Sequence, residues 1–151
     1  MSIKTTIDAD LKTALLAGDK VLATTLRGIK AAILNTEIAE NKREAGLSDD
    51  EVTNLLVKEA KKRQESADLY NQGGNIEKAA AETAEKLVIE KYLPAQMDDE
   101  ALKNLVEAAV AEANAASMQD MGKVIGLVKQ RAGNTADGGR IAQMVKERLA
   151  S

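Results

Sequence analysis

The residues whose type and spacing could do chemistry on a partner are cations near the end of the chain. Residues 120–151 hold Lys123, Lys129, Arg131, Arg140, Lys146 and Arg148 against Asp120, Asp137 and Glu147, a local charge of +3. The stretch before it, 94–119, has Lys103 against Asp98, Asp99, Glu100, Glu107 and Glu112, a local charge of −4. The whole chain carries −3, which argues against a general nucleic-acid coat. One reading of the basic segment is a solvated helix face. The other is a set of phosphate contacts, with Lys123, Lys129, Arg131, Arg140 and Lys146 as candidates for RNA binding. Aromatic residues make up 1% of the chain, which argues against stacking on unpaired bases and leaves recognition by helix shape.

Catalytic chemistry finds little to work with. Cysteine and histidine are both absent, which removes thiol nucleophiles, thiolate metal ligands and the commonest general base near neutral pH. The serines are Ser2, Ser48, Ser66, Ser117 and Ser151, and none lies in a Gly/Ser-rich loop. Asp49-Asp50 and Asp98-Asp99 stand at helix starts, where the positive end of the helix dipole accounts for them. The loop GNTADGG lacks the lysine and the preceding strand of a phosphate-cradling loop. No catalytic constellation emerges, and the sequence implies neither a metal nor a cofactor.

Glycines break local rules in 118–149. Gly122 and Gly126 fall inside a helical pattern, where each costs roughly 1 kcal/mol relative to alanine. Four residues apart, they stack on one face, so close approach of a neighbouring helix or of a ligand is expected there. Under a crossing helix, a leucine at position 126 would overpack and destabilise by about 1 to 3 kcal/mol. Gly133 and Gly138 bound a short polar loop ending in Asp137, which can cap the last helix. With Arg140 nearby, the same helix start could instead receive a phosphate.

Positioning these residues falls to helices. The 44% hydrophobic content is largely Ala, Leu, Val and Ile, which suits close helix packing, and no strand-like alternation occurs. Ile3, Ile7, Leu11, Ala14 and Leu15 mark a first helix capped near Ser2 and ended by Gly18. Asp19 opens a second, with Leu22, Leu26, Ile29, Ile33 and Ile38, to about Asn41. Ser48 to Glu51 spells a capping box for a third, which carries Lys58, Lys61, Lys62 and Arg63 interleaved with acids and stops at Gly73-Gly74. Asn75 opens a fourth, closed by Leu93-Pro94, since the residue before proline is pushed out of helical geometry. Helices follow over about 98–116, 120–131 and 138–150. The expected architecture is all-α, with a four-helix lobe over 1–93 and a three-helix lobe over 94–151. No apolar run reaches the ~18 residues of a membrane span and no signal-peptide core is present, so the expectation is a soluble, cytoplasmic protein.

The stretches YLP at 92–94, DMGKVIG at 120–126, AG at 132–133, ADG at 136–138 and the closing MVKERL resemble the YqeY-like family, also called the GatB/YqeY family. LRGIKAAILNTEI at 26–38 is similar to its N-terminal part, so the resemblance covers essentially the whole chain. One departure is Ile125, where the family more often has methionine, a conservative swap. The resemblance implies a two-lobe helical protein whose C-terminal lobe is similar to the tail domain of the tRNA-dependent amidotransferase B subunit, which helps hold the tRNA body. Free-standing members lack the catalytic part and are linked by association to carbon-nitrogen ligase activity with glutamine as amide donor. The function expected on these grounds is a non-catalytic binding module for tRNA or a tRNA-handling enzyme. The alternative is a protein-protein adaptor.

Overall fold

A computed structural model describes residues 2–150. Among them the chain is all-α: α1 (Ile3–Ala17), α2 (Lys20–Ala39), α3 (Asp49–Gln72), α4 (Ile76–Glu90), α5 (Asp99–Ala113), α6 (Met121–Ala132) and α7 (Gly138–Ala150), with 3-10 turns at Met118–Asp120 and Gly133–Thr135. It divides between Leu93 and Pro94 into two compact units.

In the first unit, side-chain caps start every helix. The Ser2, Asp19, Ser48 and Asn75 side chains accept from the amides of Thr5, Leu22, Glu51 and Lys78, and Glu51 Oε2 returns the bond to the Ser48 amide at 2.8 Å. Each such cap contributes about 1 kcal/mol. Gly18 turns α1 into α2 at φ +73°, a conformation that costs glycine little and other residues more. Ile7, Leu26, Ile29, Ile33, Val52, Leu56 and Ile89 form the core where α1 and α2 meet the adjoining halves of α3 and α4. The far half of the α3–α4 hairpin packs on itself through Ala67 and Ala79, 1% and 3% exposed.

Four large residues of the expected apolar stripes face outward: Leu15 on α1 is 49% exposed, Ile38 on α2 51%, and Ile76 and Leu87 on α4 74% and 56%. Glu37, one residue before Ile38, is buried instead. Its Oε1 accepts from Lys4 Nζ and, at 3.1 Å, from the Leu47 amide. This one carboxylate fastens the α2–α3 connection and ties it to α1. Gly46, at φ +74°, lies beside the pair, and a Cβ there would stand 3.3 Å from Lys4 Nζ. Lys42 reinforces the connection by pairing with Glu51 and, at 3.2 Å, with Glu40. At the other end of the unit the Tyr92 hydroxyl donates to Asp10 at 2.5 Å. Burial, and then that carboxylate, push the phenol's pKa upward.

In the second unit, Leu102, Val106, Val124, Val128, Ile141 and Val145 close the core of α5, α6 and α7. Asp98 caps α5 through the Ala101 amide at 2.7 Å. Asn114 ends that helix in the left-handed region, φ 52°, earlier than the apolar pattern suggests. The Met97 amide donates to the Thr135 carbonyl at 2.7 Å, joining the start of the unit to the α6–α7 turn.

The Glu37 clasp predicts acid sensitivity. The hydrogen bond from Lys4, and then the Leu47 amide, hold its pKa below the ordinary 4.5 against the opposing effect of burial. A carboxylate with a depressed folded-state pKa contributes stability that is complete above the unfolded value and is lost as pH falls through the folded one. Glu37→Gln should therefore lower stability at neutral pH, by about 1 to 3 kcal/mol. It should also flatten the decline in urea midpoint below pH ~5. An unchanged acid limb in urea titrations of the variant would count against the clasp.

Candidate nucleic-acid interface

The basic segment folds onto the acidic one. Arg131, on α6, pairs with Glu112 of α5. Arg140, in the first turn of α7, donates to Asp99 at 2.6 Å and to the Met97 carbonyl at 2.7 Å. Arg148 donates to Glu107 at 2.6 Å. Arginine's planar fork of donors suits such fixed contacts. The local +3 and −4 of the sequence thus lie side by side. Two of the five candidate phosphate contacts, Arg131 and Arg140, have carboxylate partners in the fold.

Lys123, Lys129 and Lys146 are different. All three are exposed, and none has an ion-pair or hydrogen-bond partner among the described residues. Lys123 and Lys129 belong to α6, whose Val124 and Val128 point into the core, and they lie on or beside its solvent face. Lys129 also lies against the start of α7, where a Cβ on Gly138 would meet its Cε at 3.4 Å.

Gly122 and Gly126 share that solvent face. No neighbouring helix crosses them: a Cβ at either position would meet nothing within 4 Å. The expectation of a packing role, and of overpacking by a larger residue, is corrected by this geometry. The inward side of α6 is occupied by Val124, Val128 and Ala132, so the glycines leave bare helix backbone toward solvent. Gly133 has a separate reason to be glycine, φ +57° with ψ −128° where α6 ends.

The start of α7 is engaged from within the chain. Asp137 Oδ2 accepts from the Gly139 amide at 3.0 Å and from the Arg140 amide at 3.3 Å. Those donors are therefore occupied, and a carboxylate already stands where a phosphate would bind. Between α5 and α7 an open groove of about 850 Å³ runs over Val106 and Met144, with Lys103 on its wall. The Arg140–Asp99 and Arg148–Glu107 pairs also line it, so charges of both signs border it.

Among the described residues no cluster of His, Cys, Asp or Glu is placed to hold a metal ion, and no helix is long and apolar enough to cross a membrane. Fold and surface define a class: an all-α protein of two units, with a lysine-flanked bare helix face in the second. A family model described as Yqey-like protein matches residues 4–149, and the chain belongs to that family. No curated protein matches it.

Two stability measurements follow. Gly126→Ala should raise the melting midpoint, with a gain approaching 1 kcal/mol, because helix propensity improves and nothing is displaced. A drop in midpoint would reinstate a packing role. Asp137→Ala should cost about 0.5 to 2 kcal/mol through loss of the α7 cap, and an unaltered melt would remove that role.

Proposed function

We propose that the chain is a non-catalytic, tRNA-associated binding module, related through its family to tRNA-dependent amide transfer, and that RNA meets it on the solvent face of α6. The observation that carries this reading is the pairing in the second unit. Once Arg131, Arg140 and Arg148 are bound to α5 acids, the cations left for a partner include Lys123, Lys129 and Lys146. Lys123 and Lys129 flank a strip of helix bared by Gly122 and Gly126. A phosphate backbone can approach such a strip closely, and flexible ammonium groups suit contacts that follow shape and charge rather than base identity. The family resemblance supplies tRNA as the RNA in question.

A second reading rests on the same bare strip, which would also admit the helix of a partner protein. Titration of labelled tRNA across salt concentrations separates the two. For RNA binding, each phosphate contact removed lowers the slope of log affinity against log salt by up to ~0.9. Replacing Lys123, Lys129 and Lys146 together by alanine should flatten that slope, whereas Arg131→Ala should leave it nearly unchanged. Absence of binding at low salt would sink the RNA reading. An RNA-independent polypeptide, captured by the chain and lost with Gly126→Leu, would favour the adaptor.

A further inference from the structure

One flank of the α3–α4 hairpin has no partner in the first unit. Ile76, Ala80, Thr83, Ala84 and Leu87 form a stripe along α4, with Ile76 74% exposed and Leu87 56%. With Asn71 they line a shallow groove of about 340 Å³. The hairpin's other flank is engaged: Arg63 reaches Glu85 at 3.5 Å, and the backbone of Gly28 on α2 lies beside its guanidinium. Apolar residues at this spacing mark the face with which a helix meets another helix.

Two charges select the occupant. Glu77 and Lys91 stand at opposite ends of the stripe, each seven residues from Ala84. The separation between them is close to four helical turns, so they project on the same side. Both are exposed, and neither side chain has a partner among the described residues. Of the other charges of α4, Lys86 meets Gln64 and Glu90, Glu85 meets Arg63 and Lys78 lies over the Tyr70 ring, while the helical period puts Glu82 on the side away from the stripe. The helix dipole accounts for the signs of Glu77 and Lys91 but not for their shared side along an uncovered apolar stripe.

We propose that this stripe is a self-association surface, on which a second copy of the chain docks antiparallel about a twofold axis beside Ala84. That axis sets Glu77 opposite Lys91 of the second copy, and Lys91 opposite its Glu77. Leu87 then lands near the small side chains at positions 80 and 81, and alanine meets alanine at the axis, where the backbones approach most closely. A parallel twofold pair would instead set Glu77 against Glu77 and Lys91 against Lys91. Self-complementarity of one patch under a twofold is the commonest route to a homodimer. The area sets the strength. A stripe on one helix with two large exposed apolar side chains, Ile76 and Leu87, falls short of the ~800 Å² per partner in a standard interface, so the dimer is weak and concentration-dependent.

Sedimentation equilibrium of the full chain from roughly 1 µM to roughly 1 mM, a span covering weak affinities, should show the average mass rising from 16.1 kDa toward twice that value. Glu77→Lys alone and Lys91→Glu alone should each weaken association by roughly tenfold, and the two together should restore it. Leu87→Glu should abolish it. These positions are exposed, so circular dichroism of each variant should match the parent. A mass of 16.1 kDa at every concentration would overturn the proposal, and is the result expected if the stripe serves a different polypeptide. So would a double charge swap that associates no better than the single ones.

Discussion

A core without phenylalanine or tryptophan has to be closed by small and branched aliphatic side chains, and this constraint governs both units. Ile7, Leu26, Ile29, Leu56 and Ile89 do so in the first, and Leu102, Val106, Val124, Val128, Ile141 and Val145 in the second. Each contributes about 1.5 to 3 kcal/mol when buried and covers less area than a large aromatic. The helices must therefore start and stop at defined points for these modest contacts to coincide. Side-chain caps at Ser2, Asp19, Ser48, Asn75, Asp98 and Asp137 meet that need. Three connections are fastened by a few polar contacts: Glu37 and Lys42 for α2–α3, the Met97 amide on the Thr135 carbonyl for the edge of the second unit, and Tyr92 for the end of α4.

What could be read from the sequence was local. The Ser48 capping box involves residues three apart, and all its groups are visible in the sequence. The seven helices follow from apolar spacing and from glycine and proline stops. What could not be read depends on pairing across the chain. Nothing near Glu37 announces that Lys4 and the Leu47 amide will surround it, and the stripe spacing alone favoured Ile38. The glycines of α6 break helix propensity, but the sequence does not say whether the reason lies inside the fold or outside it. The geometry shows open space. The pairing of Arg131 with Glu112 and of Arg140 with Asp99 spans 19 and 41 residues. The one hint available was the acidic run that precedes the basic one.

The second unit sorts its cations by chemistry. Its arginines are held by α5 carboxylates, while Lys123, Lys129 and Lys146 remain in solvent. A guanidinium loses relatively little freedom when fixed in a fork, whereas an ammonium on a four-carbon stem keeps its hydration and its reach. Helix α5 thus acts as an internal counterion for α6 and α7, and its acids and their arginines stabilise the unit in place. Beyond those pairs the unit keeps Lys103, Lys123, Lys129 and Lys146 against Asp98, Glu100, Asp120, Asp137 and Glu147, so the lysines act locally, and added salt screens them within a Debye length of roughly 8 Å at physiological ionic strength.

The tyrosines have a practical consequence for watching this protein unfold. Tyr70 and Tyr92 are the two in the chain, there is no tryptophan, and both belong to the first unit. Tyrosine emission is therefore a local reporter, unobscured by indole. The hydroxyl of Tyr92 is held on a carboxylate of α1, so its signal will change when α4 leaves α1. The second unit contributes nothing to that signal and is visible only through its helical backbone. Far-ultraviolet dichroism sums the helices of both units, so a dichroism change that tyrosine fluorescence of the same sample does not follow belongs to the second unit, without a label.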